Sequence, residues 1–322
     1  MRSYELCDNC DTDAMQDENP RGPGRAGGAV AILLAAAAWG STGTAAHFAP
    51  AGATGASVGA ARIVVGGALL LGLAVSTGRS RQAVRGLIGG RPAVRAALVL
   101  AAAAVGGYQV CFFTAVRMTG VAIGAVVAIG SAPVFTGVLA RLAGGPPPGR
   151  RWMLATAAAV AGCTVLVTGG QAAGADPAGV GLALAAGLCY AVYAVAAARL
   201  ISAGSPETAV MGLLFGGAAI LLAPILATSS PGWVLTSRGI AVTGYLGVVT
   251  TVAAYLLYGR GLRTVPAPVA VTLGLAEPVV AAMLGFVVLG ERLTATAIAG
   301  LLLVGLAVAA LAGGRRQIQP SG

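Results

Sequence analysis

Ten runs of apolar residues, each about 19–24 long, leave this chain of 322 residues little choice of fold. Their approximate limits are 27–48, 55–77, 94–116, 121–142, 152–170, 178–200, 208–228, 237–258, 267–289 and 294–312. A helix of that length crosses a hydrocarbon core of ~30 Å. In lipid a spanning segment must satisfy its own backbone hydrogen bonds, which a helix does. The breaks between runs carry the expected punctuation: Pro50 with Gly52, Pro146-Pro147-Pro148, then Pro177, Pro206 and Pro231. With 57% hydrophobic and 9% charged residues and a mean hydropathy of +0.87, a soluble domain could not hide the apolar surface. The sequence therefore predicts an all-α polytopic membrane protein with ten transmembrane helices.

Residues 1–25 hold six acids and three arginines without an apolar run and read as a disordered acidic tail; 314–322 read as a second tail. The acidic start lacks the basic region and short apolar core of a signal peptide. The +10 formal charge is carried by arginine alone, since the chain has no lysine. That excludes a Walker A loop, which needs Gly-Lys-Ser/Thr, and a Schiff-base lysine. Alternating the segments from a cytoplasmic N-terminus puts sixteen arginines inside, among them Arg79–Arg95 and Arg141–Arg151. Only Arg117, Arg238 and Arg292 fall outside, and Arg62 lies within the second run. This bias places both termini in the cytoplasm and reads the arginines as topology signals rather than a nucleic-acid surface.

The runs repeat. A shift of 145 residues places Pro133 on Pro278, Thr119 on Thr264, Val126 on Val271 and Gly145 on Gly290; a shift of 151 places Gly28 on Gly179 and Trp39 on Tyr190. Five helices is an odd number, so the second copy is inverted relative to the first, a recurring plan of secondary transporters. The repeats are expected at 26–170 and 176–313.

Candidate functional residues follow from what lipid penalises. Glu277 is the acid deepest within a run, and a mid-span carboxylate costs roughly 2.5–3.5 kcal/mol on insertion scales. It either meets a substrate amine or a coupling proton, or ties its helix to a neighbour. Arg62 lies about 10 Å below the outer end of its helix and Glu277 about 15 Å above the inner end of its own, at 1.5 Å per residue. Arg62 can pair with Glu277, meet a substrate carboxylate, or extend to the outer headgroups. Trp39, Tyr108, Gln109, Tyr190 and Tyr193 fall near mid-span, where rings and polar tips either line a cavity or pack the bundle. Trp152 and Trp233 at run ends fit an interfacial belt. Ser41, Thr42 and Ser131 are expected to bond their own helix carbonyls. Pro133 and Pro278 remove helix hydrogen bonds to Ile129 and Gly274 and are the expected hinges. Cys111, Cys163 and Cys189 lie in apolar runs, and Cys7-x-x-Cys10 lacks a second ligand pair, so neither metal nor cofactor is expected.

The stretch 277–294, EPVVAAMLGFVVLGERLT, resembles the last repeat of EamA-type exporters in the drug/metabolite transporter superfamily. Trp39-Gly40-Ser41 and Arg62 are similar to further motifs of that family, over residues 26–313. Ala132-Pro133 departs from it by lacking the acid, which leaves Glu277 without a symmetric counterpart. The resemblance implies a ten-helix fold in two inverted repeats and export of small metabolites, often amino acids or aromatic compounds. The expectation is a plasma-membrane carrier working by alternating access on a small-molecule substrate, as monomer or dimer. A membrane enzyme would need clustered acids, His or Cys, and a scaffold would not need a mid-span Glu-Pro.

Overall fold

A computed structural model describes residues 24–168, 176–290 and 294–312. Among them the chain is helical throughout: α1 (Arg25–His47), α2 (Gly55–Ser76), α3 (Gly78–Ile88), α4 (Pro92–Thr119), α5 (Val121–Leu142), α6 (Arg150–Thr168) and α7 (Pro177–Ser202). There follow α8 (Glu207–Thr228), α9 (Ser237–Gly247), α10 (Ala254–Leu262), α11 (Ala267–Gly274), α12 (Ala276–Leu289) and α13 (Ala295–Ala312). A short 3₁₀ turn at Pro231–Leu235 precedes α9, and a π-helical segment, Val248–Ala253, joins α9 to α10. Nine of the described segments are long and apolar enough to cross a membrane, with α9 to α10 and α11 to α12 each counting as one. The remaining expected span, 152–170, overlaps the helix α6, which is not among those nine, and its last two residues lie outside the described ones. So do residues 1–23 of the first tail, the whole of the second, and Glu291 with Arg292.

Local chemistry sets the ends. Thr54 and Ser57 form a reciprocal capping box on α2. Asp176 caps α7 from its side chain, with Pro177 at the first helical position. Gly290, at φ 71°, closes α12 in the left-handed conformation that glycine adopts freely.

The helices exchange partners in pairs. α4 and α5 both pack on α7, as α9–α10 and α11–α12 pack on α1, while α2 packs on α8 and α6 on α13. Under the repeat shifts these are the same contacts made twice. The two-fold reaches single residues: a Cβ on Gly28 would strike Thr264, and one on Gly179 would strike its counterpart Thr119.

Four expectations change. The arginine-rich 78–88 stretch, read only as a cytoplasmic connection between two apolar runs, is the amphipathic helix α3, whose Val84 and Ser80 are buried, the latter bonded to Thr208 Oγ1 at 2.6 Å. Trp233 is no belt residue; it is 6% exposed and packs with Val58, Val242 and Leu246. Trp152 donates its indole N–H to Thr272 Oγ1 at 3.1 Å, tying α6 to α11. Ser41 and Ser131 do bond Ala38 and Ala128 carbonyls, whereas the buried Thr42 hydroxyl has no partner.

Among the described residues the ion pairs are those of Glu207, at the start of α8, with Arg260 (3.6 Å) and Arg263 at the end of α10. Glu207 is 8% exposed, so the pair pins two helices at one end of the bundle.

The inverted arrangement has a direct test. Single cysteines at Gln82 on α3 and at Asp176, both exposed, should react with an impermeant maleimide from opposite sides of the membrane. Reaction from one side at both positions would remove the inversion.

Candidate functional site

Five helices of both repeats bring rings to one place. Trp39 of α1 lies 5.0 Å from Tyr255 and 5.3 Å from Tyr258, centroid to centroid. Tyr190 stacks on Tyr193 at 5.1 Å, and Tyr108 meets Tyr190 edge-on at 6.2 Å. Phe215 of α8 closes against Tyr255 at 3.9 Å. Of the residues expected from sequence, Trp39, Tyr108, Tyr190 and Tyr193 therefore come together. Gln109 is buried, but it projects about 100° around α4 from Tyr108, and it shares no hydrogen bond with the cluster among the described residues.

Tyr255, Tyr258 and Phe215 were not expected, and the π segment explains the tyrosines. Residues 248–253 correspond to 103–108 of α4, which is regular α-helix. A π turn takes up an extra residue. Beyond it, the helix face is rotated by about 100° relative to its counterpart. The counterparts of Tyr255 and Tyr258 are Val110, which is 47% exposed, and Phe113, which packs on Gly55 and Gly59 of α2. The rotation turns Tyr255 and Tyr258 onto Trp39 instead. Thr250 and Thr251 both donate to the Leu246 carbonyl, at 2.8 and 3.0 Å, and hold the turn open.

Glu277 enters from α12. The helix is interrupted at Leu275, and Pro278 has no N–H to give the Gly274 carbonyl. α5, by contrast, runs unbroken through Pro133. Gly40 lets α1 lie against this break, since a Cβ there would sit 2.7 Å from the Glu277 carbonyl oxygen and from Val280 Cβ. Gly274 leaves room for the Tyr190 hydroxyl, which would lie 3.1 Å from an added Cβ.

The charges lie among the rings. Glu277 and Arg62 are each partly buried and within electrostatic reach of one another and of Tyr108 and Tyr255. Yet they form no ion pair among the described residues. Arg62 Nε is buried without a hydrogen-bond partner, and so are Trp39 Nε1 and Thr42 Oγ1, which share a face of α1. The Tyr190 and Tyr258 hydroxyls approach each other without reaching hydrogen-bond geometry. Orphaned donors of this kind are costly unless water or a solute completes them.

A carboxyl group, a guanidinium, packed rings and unused donors thus meet at the junction of the two repeats. The sequence matches the EamA-like transporter family over residues 26–168 and again over 177–313. The chain belongs to the EamA-like transporter family. This EamA-family chain is 39% identical to the uncharacterized transporter YwfM of Bacillus subtilis (strain 168), across 86% of its own length and 91% of that protein. Over 123 residues, 37% of this chain and 40% of the relative, it is 36% identical to the threonine/homoserine exporter RhtA of Salmonella typhimurium (strain SL1344). The Escherichia coli (strain K12) RhtA matches over the same shares at 33%. A crystal structure of a protein that is 20% identical superposes with a TM-score of 0.73, covering 88% of this chain and 95% of the other; that likeness concerns the fold.

Proposed function

We propose that this EamA transporter carries a small amphoteric metabolite, an amino acid, out across the plasma membrane by alternating access. The observation that carries the reading is Arg62 beside Glu277, opposite charges within one aromatic site and not closed onto each other. A zwitterion satisfies both: its carboxylate takes Arg62, including the orphaned Nε–H, and its ammonium takes Glu277. Trp39, Tyr190 and Tyr255 receive the side chain. The partial similarity to threonine/homoserine exporters supports the amino-acid class, and the rings support solutes with an apolar or aromatic body. Pro278 and the break at Leu275 supply the hinge, with Pro133 as its counterpart in the first repeat. The arginine bias supports an orientation with both termini in the cytoplasm.

Counterflow into proteoliposomes tests this. Threonine, homoserine and phenylalanine should exchange against themselves, while the matching hydroxy acids and amines, each lacking one charge, should not. In Arg62→Gln the penalty for losing the carboxylate should shrink while that for losing the ammonium persists. Equal exchange of the truncated compounds by the parent protein would refute zwitterion recognition.

A further inference from the structure

Two grooves open on the flanks of the bundle, and the repeat relates them. One, of about 250 Å³, lies between α1, α9 and α12; the other, of about 530 Å³, lies between α4, α5 and α7. The repeat shifts carry Ser41 onto Val192, Thr44 onto Val195, Ala45 onto Ala196, Phe48 onto Arg199, Tyr245 onto Leu100 and Leu284 onto Leu139. All six counterparts line the larger groove. The cleft is thus inherited twice, at opposite ends of the bundle, but its chemistry is not. The smaller copy is crossed by a Ser41–Tyr245 hydrogen bond of 2.8 Å. The larger copy is lined by alanine, valine and leucine, with Arg199 its one polar residue.

We propose that the groove between α4, α5 and α7 holds an acyl chain of an anionic phospholipid whose headgroup phosphate sits on Arg199. An all-apolar lining suits a chain rather than a polar solute. Its walls run from Ala93 to Leu100 and from Val192 to Leu200, so at 1.5 Å per residue they extend about 10–12 Å, most of one leaflet of a ~30 Å core. Arg199 is exposed at the groove end and is steadied by one bond from its Nη2 to the Ala143 carbonyl, which leaves other N–H groups free for a phosphate. Arg91, Arg95 and Arg141, all exposed at the same end, add attraction for anionic headgroups. The opposite groove carries Phe48 where Arg199 stands, so the arginine is not a by-product of the repeat.

The test uses the full chain purified in detergent and offered equal phosphatidylglycerol and phosphatidylcholine. Bound lipid is read by native mass spectrometry and thermal unfolding alongside it. The parent protein should retain phosphatidylglycerol preferentially and unfold several degrees higher with it than with phosphatidylcholine. Arg199→Gln should weaken phosphatidylglycerol retention about ten-fold, the loss of a charged hydrogen bond. Ala97→Phe, which fills the groove from another wall, should remove it, and Thr44→Phe in the opposite groove should leave it unchanged. Equal retention of the two lipids, or an unchanged preference in both Arg199→Gln and Ala97→Phe, would overturn the proposal. So would full replacement of the effect by glycerol phosphate, or dimerisation in place of lipid uptake. None of these readouts depends on transport, so the lipid site and the amino-acid reading fail separately.

Discussion

Glu277→Gln will lower amino-acid counterflow and gradient-driven transport together. The glutamine keeps the size and the helix but cannot hold an ammonium by charge, and a charged hydrogen bond is worth ~1.5–3 kcal/mol, or roughly ten- to over one hundred-fold in affinity. The loss should appear in the apparent Kd for the zwitterion, with folding unchanged, because Glu277 makes no ion pair among the described residues. Two other outcomes reassign the residue. Lost gradient-driven transport with exchange intact would make Glu277 the coupling-proton carrier. Destabilisation by Glu277→Leu and by Arg62→Leu, recovered in the double variant, would make the two a structural pair. Normal transport and stability in Glu277→Gln would leave α12 a packing element.

The second large effect is on stability. Gly67 of α2 faces the Phe215 backbone, and a Cβ there would overlap that carbonyl and touch Ala219 Cβ. A backbone atom cannot rotate aside, so Gly67→Val must push α2 from α8 at the centre of the two-fold. Overpacking costs ~1–3 kcal/mol and more when backbone must move. Thermal unfolding in detergent should show a marked loss for Gly67→Val and none for Gly72→Val, whose added Cβ meets nothing within 4 Å. Equal unfolding temperatures would mean that α2 and α8 are not held as closely as this packing requires.

How much of this could be read beforehand differs by feature. Long apolar runs between prolines give helices because lipid allows little else, and Glu277-Pro278 announces both a buried charge and a broken ladder. Trp39, Tyr108, Tyr190 and Tyr193 were legible as mid-span rings. Tyr255 and Tyr258 were not, because a helix apolar on all sides gives no period from which to tell its faces. Their orientation also hangs on the π turn at 248–253, where no proline or charge marks the extra residue. α3 was hidden for the opposite reason: its arginines mask a narrow buried stripe around Val84.

The Glu207 ion pair has no counterpart at the other end of the bundle. The repeat shifts place Ala56, Ala115 and Met118 where Glu207, Arg260 and Arg263 stand, and these cannot make such a bond. Under the alternating access proposed above, a bond made at one end alone and broken on exchange would tilt the balance between the two empty states. With its arginines half in solvent, the pair is worth ~0–1 kcal/mol, at most about a five-fold preference. Such a tilt cannot decide which way solute flows, since the gradients alone do that. On that reading it sets where the empty protein waits, and so which side's solute finds the door shut when it arrives.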